Sequence, residues 1–212
     1  MKSIFIENQK YTFKDYFEFS HPVEEIVAEL GYSYSLLGYS YSLGMINLPQ
    51  CKNINVEAIQ LLQSNYYKVL PKINLNSEAA KREFLVAPIL FEVAKVTDAK
   101  ISLEYPLNID DKLSGYLDYL IRSQQTLIII EAKKGDIDRG FNQLSAELIA
   151  LDKYEAEGKL FLYGAITIGE MWIFTVLDRK SQHITKDIHN YTIPEDVETI
   201  FNILVGIVSV HE

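Results

Sequence analysis

The chain reads as an α/β protein, and three observations lead there. From Ser77 onward the pattern runs helix, three strands, helix, strand, strand. The third of those strands contains Leu127-Ile-Ile-Ile, an unbroken apolar run of the kind found in a buried sheet. Further on, two apolar segments at Leu160–Ile168 and Met171–Leu177 are joined by Gly169-Glu170, the mark of a tight hairpin.

Each element follows from local chemistry. Tyr11–Phe19 and Pro22–Leu30 predict two short helices. The second opens with Pro22 in its first turn and Glu24 and Glu25 at the positive end of its dipole. A duplication follows, Gly31-Tyr-Ser-Tyr-Ser-Leu-Leu and Gly38-Tyr-Ser-Tyr-Ser-Leu-Gly. Its period of two predicts strands with tyrosines on one face and serines on the other, packed on the core or free to stack on bases. Asn55–Val69 predicts a helix and Pro71–Asn76 a linker. Asn76 or Ser77 then caps a helix carrying Phe84, Leu85, Ile89, Leu90 and Val93, which Pro88 should kink or interrupt. Strands are expected at Lys100–Leu107, Gly115–Arg122 and Thr126–Ala132. Asp136–Glu157 is helical, with Leu144, Leu148 and Leu151 on one stripe. After the hairpin come an edge strand at His183–Ile188 and a closing helix at Glu195–Val210.

Composition narrows the function. The chain has 212 residues, 48% hydrophobic and 23% charged, enough for a full core. Its one cysteine, Cys51, excludes a disulfide framework and a multi-cysteine zinc site, and points to the cytoplasm. No stretch has the length of a membrane helix, and Met1-Lys-Ser-Ile-Phe-Ile-Glu turns polar too early for a signal peptide. A net charge of -9 argues against a tight, nonspecific nucleic-acid coat. Contact with nucleic acid would be local, or supplied by a homodimer or a partner subunit. A glycine-rich phosphate loop is missing, since Gly38–Gly44 lacks the Lys-Ser/Thr ending. His21, His183, His189 and His211 have no ligand spacing.

The chemistry concentrates in Gly115-Tyr-Leu-Asp118-Tyr-Leu-Ile-Arg and Leu127-Ile-Ile-Ile-Glu131-Ala-Lys133-Lys134. Residues two apart in a strand share a face, so Glu131 and Lys133 emerge side by side while Lys134 faces the other way. Two carboxylates beside an ammonium suit a hard divalent ion and an anionic reaction centre. Alternatively, Asp118 and Glu131 are strand-end acids paired with Lys133 or Arg122.

Taken together, these residues and the order of elements resemble the PD-(D/E)XK nuclease superfamily, the restriction-endonuclease-like fold. Among its members, type I restriction subunits and related defence or mobile-element nucleases are similar. The resemblance covers residues 77–168 and implies an αβββαβ core with a mixed central sheet flanked by helices. It divides the chain into an N-terminal helical and strand extension, 1–72, packed on a nuclease-like domain, 73–212. It assigns Asp118, Glu131 and Lys133 as the signature, with Leu117 where the family has proline. Glu78 (with Glu83 as fallback) supplies the first-helix acid, and Gln143 the glutamine of the later helix. Mg²⁺ or Mn²⁺ would be held by Asp118, Glu131, the Ala132 carbonyl and Glu78. Lys133 would orient or deprotonate the attacking water, and Gln143 would bond a phosphate or a metal-bound water. The implied activity is hydrolysis of DNA, rather than RNA, phosphodiesters. A catalytically silent binding or assembly subunit is the alternative. Gln143 also fits a surface helix residue, and Asp136, Asp138 and Glu147 read as solvated helix acids. Lys81, Arg82 and Arg139 are either phosphate contacts or solvated surface charges.

Overall fold

The structure, a computed structural model, describes residues 3–36, 48–52, 54–123, 136–155 and 158–209, and residues 127–132 at the level of backbone pairing. The second Tyr/Ser copy, Lys133 and Lys134 lie outside the described residues. The architecture is mixed α/β, a mixed sheet with helices on both faces. In chain order the elements are α1 (Phe13–Glu18), α2 (Val23–Glu29), β1 (Ser33–Leu36), α3 (Val56–Val69), α4 (Glu78–Lys81), α5 (Ala87–Val96), β2 (Lys100–Asn108), β3 (Ser114–Arg122), β4 (Leu127–Ala132), α6 (Ile137–Tyr154), β5 (Phe161–Thr167), β6 (Met171–Asp178), β7 (His183–Lys186), β8 (Tyr191–Thr192) and α7 (Val197–Ser209). No helix among the described residues is long and apolar enough to cross a membrane.

The sheet runs β1-β7-β6-β5-β4-β3-β2, with β8 added to β6. Strand β4 pairs antiparallel with β3 and parallel with β5, so α6 is the crossover that returns the chain for the parallel pair. The expected edge strand at His183–Ile188 is corrected by this order. Strand β7 is interior, because β1 from the N-terminal segment pairs with it in parallel. His183 pins that junction, its two ring nitrogens 2.7 Å and 2.8 Å from the hydroxyls of Ser33 and Ser35.

Two apolar cores lie on either side of the sheet. One is shared by the sheet, α6, α1 and α2, the other by the sheet, α3, α5 and α7. Strand β6 feeds both: Trp172 and Phe174 enter the second core and Ile173 the first, all three buried. Such burial on both faces explains why the central strands are apolar runs rather than alternating ones. Helix α6 is buried continuously from Gly140 to Leu151, since α1 and α2 cover the side turned from the sheet. It sits close to β5 at Gly164, where a Cβ would lie 2.9 Å from Thr175 and 3.2 Å from both Leu144 and Leu148.

Ser77 caps α4 as expected, its hydroxyl accepting from the Ala80 N–H at 3.1 Å. The helix does not break at Pro88. Instead Arg82–Val86 form a π turn, with the Ala87 N–H bonded to the Arg82 carbonyl five residues back. The α-helix resumes at Ala87 with Pro88 in its first turn, where no N–H is required.

Candidate functional site

The site is built from the start of the α4 helix and from β3, the strand next to the β2 edge of the sheet. Glu78 and Arg82 stand four residues apart on one face, across the junction of α4 with the π turn. Arg82 Nη2 lies 3.4 Å from Glu78 Oε1 and 2.8 Å from Asp118 Oδ1 on β3. One guanidinium therefore draws together a helix acid and a strand acid that the sequence separates by forty residues. The contact is partly shielded: the Asp118 and Arg82 side chains are 20% and 26% exposed, against 46% for Glu78. Tyr119, buried beside them, has its phenol raised above the ordinary value. Burial is the main cause; Arg82 opposes it, and Asp118 and Glu83 add to it.

Asp118 sits where two strands change faces together. Leu117 and Leu120 belong to the α6-side core, while Tyr119 and Ile121 belong to the other. Simple alternation would put 117, 119 and 121 on one face. The same swap occurs in β2, where Ile101 packs on the second core and Tyr105 and Leu107 on the first. Between them Glu104 adopts a left-handed φ of 48°. The paired residues on either side, Leu103↔Tyr119 and Tyr105↔Leu117, set Glu104 across from Asp118. A kink of this sort re-aims a side chain, as β-bulges do. Here it accompanies the turn of Asp118 toward Arg82.

The register extends the row. Tyr119 pairs with Ile130, so one residue further sets the backbone position of Glu131 across from Asp118. On its other side Glu131 pairs with Ile166, and Ala132 with Thr167. Three neighbouring strands thus carry acids at one transverse row: Glu104, Asp118 and Glu131. Among the described residues no three His, Cys, Asp or Glu side chains converge; the side chain of Glu131 and all of Lys133 lie outside that description. The donor set suits a hard divalent cation, because carboxylate oxygens from α4 and β3 already meet on one positive group.

Gln143 and Glu147 occupy successive turns of α6. Both are buried, and Gln143 Nε2 donates to Glu147 Oε1 at 2.8 Å. The reading of Gln143 as a surface residue and of Glu147 as a solvated acid is corrected here, since α1 and α2 exclude water from that face of α6. Gln143 Oε1 is buried without a partner among the described residues. Asp136 does sit at the helix start, capping it through the Arg139 N–H at 3.1 Å. Asp138 pairs with Lys186 at 3.4 Å. Lys81 pairs with Glu170 at 3.0 Å, and Arg139 with Asp136 at 3.4 Å. Arg122 bonds Glu155 at 3.3 Å and stacks on Tyr105, 4.6 Å from its ring centre, rather than pairing with Asp118.

Sequence reasoning missed Arg82 as the bridging cation, Glu104 as a member of the row, and the burial of Glu147. The i,i+4 spacing of Glu78 and Arg82 signalled the first. The spacing of Gln143 and Glu147, each beside Leu144 or Leu148, signalled the third. Nothing local marked Glu104. Tyr32 and Tyr34 of the first Tyr/Ser copy belong to the core side: Tyr32 is buried, and its hydroxyl donates to Asp152 at 2.6 Å.

The fold and site together define a mixed α/β protein with a carboxylate–guanidinium cluster at the kink shared by the edge strand β2 and its neighbour β3. Comparison with protein-family models, with curated proteins and with solved structures finds no match to this chain.

Proposed function

We propose that this chain is a Mg²⁺- or Mn²⁺-dependent nuclease of the restriction-endonuclease-like fold, hydrolysing DNA phosphodiester bonds in the cytoplasm, in restriction, phage defence or mobile-element biology. The observation that carries the reading is the acid row, with Asp118 across from the register position of Glu131 and linked through Arg82 to Glu78. The run α4–α5, β2, β3, β4, α6, β5 supports it, since its one parallel pair, β4 with β5, is bridged by α6.

In this reading Asp118, Glu131 and the Ala132 carbonyl would hold the ion, and Glu78 would join them. A bound divalent ion supplies Lewis-acid polarisation of a phosphate oxygen and a water of lowered pKa. The Lys133 ammonium would offset negative charge as it grows on the phosphoryl oxygens and donate a hydrogen bond that orients the attacking water; as the neutral amine it would take that water's proton. Gln143 is buried and its Nε2 is donated to Glu147, so what the structure supports for it is bracing of α6. Cutting both strands calls for two such sites, supplied by a homodimer or a partner subunit.

The test is incubation of purified protein with plasmid and linear DNA and Mg²⁺ or Mn²⁺, beside Lys133→Ala and Asp118→Ala. Cleavage lost in both variants is expected. Absence of cleavage by the unaltered protein, or cleavage unchanged in both variants, overturns the proposal. Competition with matched RNA fixes the substrate.

A second reading has the same bridge in its favour. With Asp118 already neutralised by Arg82, the chain would serve as a silent binding or assembly subunit. Calorimetry separates the two: no divalent-ion binding favours the subunit, and binding lost in Glu131→Gln favours the enzyme.

A further inference from the structure

Arg82 is a cation held where a metal ion would be needed. Its Nη2 spans Glu78 at 3.4 Å and Asp118 at 2.8 Å, and Glu104 stands across from Asp118 on the neighbouring strand. Like charges set opposite one another on neighbouring strands repel. A guanidinium stays charged at all working pH values, so it offsets that repulsion permanently. The Arg82 and Asp118 side chains are only 26% and 20% exposed, which makes the contact stronger than a free surface pair.

Resting on the nuclease reading above, we infer that Arg82 is a resident counter-cation that competes with the divalent ion for Asp118 and weakens the protein's hold on it. The guanidinium at 2.8 Å draws electron density from the Asp118 carboxylate and repels a dication set on either of its oxygens, most strongly one that takes Oδ1 itself at a ligand distance of about 2.1 Å. Arg82 therefore holds the acids together in the metal-free protein and weakens its affinity for the metal. Its length and its position at the start of the π turn allow the head group to leave Asp118 while the helix stays docked through buried Leu85, Val86 and Ile89. Arg82 is a positioning residue here, acting through Asp118.

The experiment is calorimetric titration of the full chain with Mn²⁺ alone, comparing the unaltered protein with Arg82→Gln, Arg82→Lys and Glu131→Gln. Thermal unfolding is followed with and without the ion. Loss of one partly shielded charge-assisted hydrogen bond predicts about tenfold tighter Mn²⁺ binding by Arg82→Gln. A larger rise in unfolding temperature on adding Mn²⁺ should accompany it. Arg82→Lys should fall between, because an ammonium is a point charge without the planar fork. It also serves if Arg82→Gln does not fold. Equal or weaker Mn²⁺ binding by the Arg82 variants, with binding lost in Glu131→Gln, overturns the inference and leaves the metal site standing. Binding by neither the unaltered protein nor the Arg82 variants overturns both.

Discussion

Replacing Arg179 by alanine tests how the end of α6 is held. Arg179 Nε lies 2.5 Å from Asp152 Oδ1, and its Nη2 donates to the carbonyls of Asp152 and Glu155 at 3.0 Å and 2.9 Å. Its Nη1 donates to the Lys159 carbonyl at 3.1 Å. The Asp152 and Glu155 carbonyls are among the orphans of the α6 C-terminus, where a cation also meets the negative end of the dipole. The side chains of Arg179 and Asp152 are 14% and 11% exposed, so screening is slight. The charge-assisted bond contributes about 2 kcal/mol, and the carbonyls together add about 1 kcal/mol after water has replaced part of their bonding. Arg179→Ala should then cost about 3 kcal/mol. For a chain of this size that lowers the unfolding temperature by roughly 6–12 °C. The assay is urea denaturation followed by circular dichroism, with Asp152→Asn and the double variant completing a cycle. A loss under about 1 kcal/mol, or an Asp152→Asn cost that is the same with and without Arg179, refutes the reasoning.

Gly164→Val should loosen α6 from the sheet. The added carbon atoms meet Thr175, Leu144 and Leu148 at separations already short for a Cβ alone, for an overpacking cost of about 3 kcal/mol. Loss of the near-ultraviolet signal of buried Trp172 before far-ultraviolet helix content would report it, and unchanged stability would refute it. Asp178 should contribute to the acid limb of stability. Partial burial pushes its carboxyl up, but bonds from the Ser181 hydroxyl and the Ser181 and Lys180 N–H groups, with His183 nearby, outweigh that and hold it below its ordinary value. The stabilisation is present above the unfolded value, about 3.9, and is lost as pH falls through the lowered folded one. Denaturation curves should show Asp178→Asn destabilised at neutral pH and converging on the unaltered protein as pH falls through the lowered folded value. A gap that persists there refutes the assignment.

Much of the fold was legible because it rests on local rules. The Ile-rich run of β4, the Ser77 cap, the Gly169 hairpin turn and the leucine stripe of α6 each follow from a period, a donor or a backbone angle. The sequence also marked the order of elements around Asp118 and Glu131, and so the chemistry to look for. Tertiary structure alone decided the rest. Gln143 and Glu147 are buried in a helix packed between the sheet and α1 and α2, elements more than a hundred residues earlier. Strand β7 is interior only because β1 arrives beside it. The row of Glu104, Asp118 and Glu131 depends on two registers and on a kink that swaps faces in both strands at once. Arg82 meets Asp118 because the helix packs on that face of the sheet. Periodicity along a chain reports which residues share a face. Which acid meets which cation is set by packing between elements, and that information is long-range.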